Sequence, residues 1–182
     1  LCASTISTLR ILLNSEKNYK SSGFIDGSGK LGKYLMDHVS ISRFFSIPNS
    51  DNFSHQKNNS STLSGAGSFF IPFGSELPNE FKVNFIRGYG IWGAIDRLGI
   101  PKFLQKSPNE TIGFLISHGE VLPRVSNKVE LSTKGDLWDI PIPKIEFEWS
   151  NNELNMCKHM ASSMEKAIEA SGGKIKNIQE II

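Results

Sequence analysis

The stretch "HVSISRFFSIP", residues 38–48, decides the fold, because apolar and polar residues alternate along it and β-branched and aromatic side chains are frequent. A two-residue period of this kind predicts a β-strand. The Gly- and Ser-rich polar stretch over residues 51–68 predicts a long loop. Further strands are predicted at Phe69–Phe73, Val83–Trp92, Thr111–Leu122, Lys128–Ser132 and Lys144–Trp149.

The clearest helix comes last in the sequence. Ser150 and Glu153 have the spacing of a capping box, in which each side chain accepts a hydrogen bond from the backbone of the other residue. The glycine pair at 172–173 marks the end of this helix, predicted over residues 151–171. The residues predicted to line its apolar face are Leu154, Cys157, Ala161, Met164 and Ile168.

Two helical segments precede the first strand. Residues 5–14 place leucine and isoleucine side chains at helical spacing. Leu31, Tyr34 and Leu35 predict one face of a second, short helix. A helical start, a run of strands and a long final helix predict an α+β fold, with a mixed or antiparallel β-sheet and flanking helices.

Composition limits the classes of partner. The chain has 182 residues, and its 20 Lys and Arg against 18 Asp and Glu leave a formal charge of +2, which gives no basis for predicting a nucleic-acid partner. No apolar run has the length of a membrane span. Cys2 and Cys157 have neither zinc-ligand spacing nor the pattern of a disulfide framework. The chain starts without Met, as if within a strand, so we expect a fragment of a longer protein. Its first residues lack the features of a signal peptide, which favours a cytoplasmic over a secreted location.

A dinucleotide-binding pattern occurs in "GSGKLGKYLMDH", residues 27–38, where Gly27, Gly29 and Gly32 spell G-x-G-x-x-G. In nucleotide-binding folds a buried apolar strand delivers these glycines to the N-terminus of a helix. The residues before Gly27 are polar, and no acidic residue follows at a strand end about 20 residues later. We therefore interpret the glycines as a flexible turn that leads into a helix.

Four histidines are the other candidates for chemistry. Asp37 and His38 are adjacent, and adjacent helical residues point in different directions, so we interpret this pair as structural. His118 ends an apolar strand and could face a pocket, whereas His159 is expected on the polar side of the last helix. No two histidines have metal-ligand spacing, so no metal site is predicted.

Hydrolytic chemistry is not indicated, because the sequence lacks the G-x-S-x-G elbow of serine hydrolases. Trp92, Trp138 and Trp149, together with twelve phenylalanines, could form an aromatic platform for a carbohydrate. No complete set of catalytic groups is visible in the sequence.

Three segments, in order, resemble the glucose-methanol-choline (GMC) family of flavin oxidoreductases. "LCASTISTLRILLNS" resembles the family's strand that ends in small residues before a helix, although Leu9 stands where proline is common. "LGKYLMDH" resembles the motif that leads into the substrate domain. "HGEVLPRVSNKVELSTKGDLWDIPIPKIEFEWSNNELNM" resembles the β-meander and final helix of that domain in bacterial members.

The resemblance implies that residues 1–38 end an FAD-binding domain and that residues 39–182 form a substrate-binding domain truncated at both ends. It implies FAD as the cofactor, contacted at one edge by the backbone of the small residues Cys2, Ala3 and Ser4. It also implies that the family's nucleotide fingerprint lies upstream of residue 1 and the catalytic histidine downstream of residue 182. No catalytic residue is therefore expected within the chain.

The implied reaction is hydride transfer from the CH–OH group of a small-molecule alcohol to FAD. The sheet is then expected to form a wall of the pocket that faces the flavin. Side chains expected to contact the substrate are Arg87, Tyr89, Trp92, Phe114 and His118. The alternative is a non-catalytic α+β module that binds a carbohydrate or another ligand through its aromatic residues.

Overall fold

The computed structural model describes residues 3–18, 28–48, 67–73, 83–95, 106 and 110–177. The chain divides into two compact units. The first combines Leu1–Asp37 with Val121–Trp149, and the second combines His38–Glu120 with Ser150–Ile182.

The described residues contain two α-helices and seven β-strands. In chain order these elements are α1 (Thr5–Asn18), β1 (His38–Pro48), β2 (Gly67–Phe73), β3 (Tyr89–Ile95), β4 (Glu110–Glu120), β5 (Lys128–Gly135), β6 (Pro141–Glu146), α2 (Asn151–Ala170) and β7 (Lys174–Lys176). All strand pairs are antiparallel. The predicted α+β class with an antiparallel sheet and a long final helix is confirmed. Neither described helix is long and apolar enough to cross a membrane.

The second unit is built on a five-stranded sheet with the order β2-β3-β4-β1-β7. Its centre is the pairing of β1 with β4, which runs from His38 opposite Glu120 to Pro48 opposite Glu110. The observed β1 matches the alternating segment predicted from the sequence. The predicted strand over 83–92 is displaced, because β3 begins at Tyr89 and ends at Ile95.

Helix α2 packs on one face of this sheet and forms the core of the second unit. Its completely buried apolar side chains are Met156, Met160, Met164 and Ile168. The sheet supplies Val39, Phe45, Ile91 and Leu115.

The predicted apolar face of α2 was wrong over its first two turns, where Leu154 is 44% exposed and the methionines take the core positions. The sheet accommodates them at Gly119, because a Cβ atom there would lie 2.3 Å from the sulfur of Met156 and 2.6 Å from the methyl of Met160. Methionine fills an irregular space of this kind well because its side chain is unbranched and flexible.

Both ends of α2 follow their sequence signals. The capping box at Ser150 and Glu153 is confirmed, with the Ser150 backbone N–H donating to Glu153 Oε2 at 2.7 Å. At the other end Gly172 has φ +74°, a left-handed conformation in which glycine lacks the steric cost of a Cβ atom.

The first unit places α1 beside the antiparallel ribbon of β5 and β6. The Arg10 side chain connects α1 to the turn of the ribbon, since it donates to Asp136 Oδ2 at 2.7 Å and to two carbonyl oxygens. This hydrogen bond from Arg10 is the main cause that lowers the pKa of Asp136. Asp136 Oδ1 in turn accepts the backbone N–H groups of Trp138 and Ile140.

The short helix predicted around Leu31–His38 was wrong. Gly32 and Tyr34 have φ +79° and +59°, and residues 35–37 have no regular secondary structure before β1 begins. Beyond one turn, in which Lys33 N–H donates to Lys30 O at 2.9 Å, the backbone pairs with β5 and the residue before it, since Val129 N–H donates to Gly32 O at 2.7 Å and Leu35 N–H donates to Asn127 O at 2.8 Å. Helical spacing was present in the sequence, but these long-range hydrogen bonds override it.

The proposed assignment of residues 1–38 to an FAD domain and 39–182 to a substrate domain stays a prediction. The structure adds that the β5–β6 ribbon clusters with the residues before β1 in the first unit. Gly27, the first glycine of the apparent fingerprint, lies outside the described residues, as do residues 51–66 of the predicted loop. The last two residues of that loop, Gly67 and Ser68, were wrongly assigned, because they begin β2.

Gly32 and Gly29 provide a matched pair of variants. Both have positive φ, but a Cβ atom on Gly32 would lie 2.3 Å from the carbonyl oxygen of Val129, whereas one on Gly29 meets nothing within 4 Å. We expect Gly32→Ala to lower the free energy of unfolding by about 3 kcal/mol or more. We expect Gly29→Ala to lower it by only about 1 kcal/mol. Urea unfolding measures both, and equal losses would contradict the packing role of Gly32.

Candidate functional site

The sheet of the second unit has two chemically different faces, because successive side chains of a strand point to opposite sides. One face packs on α2. The opposite face, here called the open face, carries a row of polar side chains from β1 beside aromatic side chains from β3 and β4. Its main members are His38, Ser40, Ser42, Trp92, Phe114 and His118.

Four rings on the open face touch one another and form what we call the aromatic cluster. Trp92 lies edge-on to Phe114, with ring centres 5.3 Å apart, and nearly parallel to His118, at 6.4 Å and 9°. His118 in turn lies edge-on to His38 at 5.7 Å. Edge-to-face and offset parallel geometries are the favourable ones for aromatic pairs. Three residues predicted to contact substrate are thus brought together, and His38 joins them.

The aromatic cluster borders a polar strip on β1. Ser40 is the cross-strand partner of His118, Ser42 is that of Ile116, and both serines are exposed. On the other side, Phe70 of β2 is paired with Trp92 and is also exposed. The open face therefore presents apolar rings and hydrogen-bonding groups side by side.

Arg87 and Tyr89, the other two predicted contact residues, lie elsewhere. Arg87 precedes β3 in a left-handed conformation with φ +69°. Its side chain is exposed, and its Nε atom lies 3.8 Å from Glu120 Oε2. Tyr89 begins β3 on the face that packs on α2 and is only 5% exposed. Tyr89 and Trp92 are both on β3, an odd number of residues apart, so their side chains point to opposite faces of the sheet.

Tyr89 belongs to a polar network between the sheet and α2. Its hydroxyl lies 2.7 Å from His159 Nδ1 and 2.9 Å from Ser163 Oγ, and the His159 ring is edge-on to Phe85. Burial raises the pKa of Tyr89, and burial, followed by the positive charge of Lys166, lowers the pKa of His159. The prediction that His159 lies on the polar side of the helix was wrong, because its ring contacts Phe85 and Tyr89 and its Nδ1 lies within hydrogen-bonding distance of the buried tyrosine hydroxyl.

The lowered pKa of His159 predicts a pH dependence of stability. The unfolded chain binds a proton at His159 near the ordinary pKa of about 6.5, while the folded chain resists it, so the free energy of unfolding falls as pH drops below about 6.5. His159→Gln should remove this contribution without abolishing hydrogen bonding. Urea unfolding at pH 7.5 and pH 5.0 measures the change in the free energy of unfolding, for the unsubstituted chain and for His159→Gln.

Tyr89→Phe is the companion variant for this network. It should lower the free energy of unfolding by about 1 kcal/mol at pH 7.5, because the hydroxyl and its hydrogen bonds are lost but the ring remains. If the free energy of unfolding of His159→Gln falls with pH as much as that of the unsubstituted chain, the assignment of this pH dependence to His159 is contradicted.

The first unit contains a separate cleft between α1 and the segment that follows Gly29. It is wide open and has a volume of about 720 Å³. Its lining is mostly apolar, from Leu9, Leu12, Leu31, Leu35 and Met36, with polar groups from Ser4, Thr5, Thr8, Lys30 and Lys33. No acidic residue occupies the first turn of α1.

Ser4 is the predicted cofactor-contact residue that lines this cleft. It has φ +65°, and its carbonyl oxygen accepts the first hydrogen bond of the helix from Thr8 N–H at 2.9 Å. Ala3 immediately precedes Ser4 and is half-buried. Cys2 lies outside the described residues. The role of all three as FAD contacts stays a prediction.

Among the described residues, no group of three or more His, Cys, Asp or Glu side chains is arranged to hold a metal ion. Sequence reasoning missed His38 as a member of the cluster. The signal that could have found it is the antiparallel pairing of β1 with β4, which places residues 38 and 118 on one face. Comparison with protein-family models and with curated proteins gives no match for this chain.

Proposed function

We propose that the chain supplies the substrate-binding part of an FAD-dependent oxidoreductase that oxidises CH–OH groups. The observation that carries the proposal is the aromatic cluster, in which Trp92, Phe114 and His118 meet on the sheet face opposite α2. The resemblance to the GMC family nominated five side chains as substrate contacts, and these three of the five meet on one face. The order of the three resembling segments along the chain supports the same proposal.

The residues around the cleft of the first unit fit one edge of FAD. The N-terminus of α1 offers backbone N–H groups in a first turn that carries no acidic residue, and Lys30 and Lys33 add positive charge. Ser4, Thr5 and Thr8 offer small hydroxyl side chains at the same place. When bound, FAD supplies the acceptor for the hydride that leaves the alcohol carbon.

The chain's own residues then bind and orient the substrate. The indole of Trp92 and the ring of Phe114 contact its apolar surface and exclude water from it. The ring nitrogens of His118 and His38 and the hydroxyls of Ser40 and Ser42 can hydrogen-bond its hydroxyl groups. Two kinds of contact on one face fix the position of the substrate more narrowly than either kind alone.

The test of the proposal is the absorption spectrum of the protein expressed from the complete reading frame that contains this sequence. We expect a flavin spectrum in the purified protein, which bleaches when a substrate alcohol is added without oxygen. A panel of sugar, aliphatic and aryl alcohols would identify the class. A colourless protein that does not take up added FAD would overturn the proposal.

Trp92→Ala in that protein tests the role of the cluster. Loss of the indole contact should raise KM about tenfold, which corresponds to about 1.4 kcal/mol, and should change kcat less. Trp138→Ala is the matched control, because Trp138 is exposed in the first unit and lies outside the cluster. Equal effects of the two substitutions would contradict a substrate contact at Trp92.

The second candidate is a non-catalytic carbohydrate-binding module. It is favoured by the exposed indole of Trp92 on the same sheet face as the hydroxyls of Ser40 and Ser42, one strand apart across β4, since sugars combine an apolar face with hydroxyl groups. Titration of the 182-residue chain with mono- and oligosaccharides, followed by tryptophan fluorescence, distinguishes the candidates. Saturable binding that Trp92→Ala abolishes, in a protein that takes up no flavin, would favour the module.

A further inference from the structure

Strand β2 forms one edge of the five-stranded sheet, and among the described residues no strand pairs with its outer side. All residues from Gly67 to Pro72 are exposed. They include three consecutive large apolar side chains, Phe69, Phe70 and Ile71, which are 39%, 65% and 46% exposed. An exposed apolar edge strand offers unpaired backbone groups and apolar surface together, which makes it a template for another strand. We propose that β2 of one copy pairs antiparallel with β2 of a second copy, so that the chain forms a two-fold symmetric dimer.

The backbone of β2 has the hydrogen-bonding groups for this pairing on its free side. Gly90, the partner of Pro72 on β3, directs its carbonyl oxygen toward β4, where Ser117 Oγ donates to it at 3.2 Å. Pro72 and Gly90 therefore do not exchange backbone hydrogen bonds, and the missing N–H of Pro72 lies on the outer side of the strand. Because alternate residues direct their backbone groups to the same side, Phe70 and Ser68 direct theirs to the free edge as well.

The sequence of β2 is self-complementary when the pairing is centred on Phe70. The Phe70 residues of the two copies then exchange backbone hydrogen bonds, and Ser68 N–H of each copy donates to the carbonyl oxygen of Pro72 of the other. On the α2 side of the sheet, Phe69 of each copy lies opposite Ile71 of the other, and such aromatic and β-branched pairs stabilise sheets. Strand β2 contains no charged residue, so no like charges meet. A two-fold interface requires this self-complementarity, and the pattern of β2 therefore fits a second copy of the chain.

The area available at the edge predicts how tight the dimer is. With roughly 200 Å² for a large apolar side chain, the exposed fractions of Phe69, Phe70 and Ile71 leave about 300 Å² of apolar surface on each copy. Even with backbone surface added, the two copies bury less than a standard specific interface, which covers roughly 1,200 Å² or more. We therefore expect a weak dimer that dissociates on dilution into the micromolar range.

Pairing at β2 also joins the open faces of the two copies. The two-fold axis of an edge-to-edge antiparallel pair is perpendicular to the sheet, so both open faces lie on the same side of a ten-stranded sheet. Phe70 is the cross-strand partner of Trp92, so the Phe70 ring of the second copy extends the apolar surface beside the aromatic cluster. The dimer does not depend on the proposed oxidoreductase function. Only a role of this second ring in substrate contact rests on that function.

Sedimentation velocity of the 182-residue chain, from micromolar to sub-millimolar concentrations, tests the dimer. We expect the mass to rise from 20.2 kDa to twice that value and no further, because the pairing uses β2 of both copies. Ile71→Lys should keep the chain monomeric at every concentration, since lysine on an edge strand opposes pairing. Ile145→Lys, at an apolar residue of β6 that is also exposed, is the matched control and should leave the dimer unchanged.

Disulfide trapping tests the register of the two strands. In a chain that carries Cys2→Ser and Cys157→Ser, Phe70→Cys should give a disulfide-linked dimer under mild oxidation, because the two Cα atoms at this position lie about 5.5 Å apart. Ser68→Cys is the control on the same edge and the same face. In this register its two copies are at least about 14 Å apart along the strands, so it should be trapped far more slowly.

A mass that stays at that of one chain at every concentration would overturn the proposal. Equal dimerisation of Ile71→Lys and Ile145→Lys would do the same, as would trapping of Ser68→Cys as fast as that of Phe70→Cys. If a variant does not fold, as judged by circular dichroism, hydrogen exchange of the unsubstituted chain decides. Amide protection of the peptide over residues 67–73 should increase with protein concentration, and unchanged protection there would contradict the dimer.

Discussion

The antiparallel pairing of β1 with β4 is the constraint on which the second unit depends. Both strands are 11 residues long, and their register has no shift from His38–Glu120 to Pro48–Glu110. The remaining strands add to the two edges of this pair, with β3 and β2 on one side and β7 on the other. Because a slip by one residue would exchange the two faces, the register fixes which side chains meet α2 and which meet on the open face.

Packing of α2 enforces this register. The side chains of Met156 and Met160 pack over Gly119 and occupy the space that the absent Cβ atom leaves. A shift of β4 by one residue would put His118 under these methionines, and burial of a polar imidazole without hydrogen-bond partners is costly. The helix therefore selects the arrangement in which His118 faces away from it, toward Trp92 and His38.

Sequence reasoning succeeded where local physics decides the structure. The alternation in residues 38–48 predicted β1, and the Ser150–Glu153 spacing predicted the start of α2, since both signals act over a few residues. It failed where distant contacts decide. The helical spacing near Leu31 was overridden by hydrogen bonds to β5, and the apolar face of α2 was misjudged because Gly119, the residue that admits the methionines, is far away in sequence.

The candidate site could be predicted in part for the same reason. Trp92, Phe114 and His118 were nominated through the family resemblance from predicted strands, and the cross-strand register brings them together. Which face Tyr89 would occupy could not be read from the sequence, because periodicity groups residues into two faces without saying which of them a helix covers. His38 was assigned a structural role because its neighbour in space, His118, is 80 residues away.

The glycines of "GSGKLGKYLMDH" show how one sequence pattern can serve two physical needs. In a nucleotide site, glycine lets the backbone approach a phosphate, and in this chain Gly32 lets it approach the carbonyl of Val129. Gly32 O accepts the hydrogen bond from Val129 N–H, so strand β5 occupies the space that this glycine leaves open. Both halves of that stretch bear on a candidate site, because Lys30 lines the cleft of the first unit and His38, the last residue, begins β1 and contacts His118.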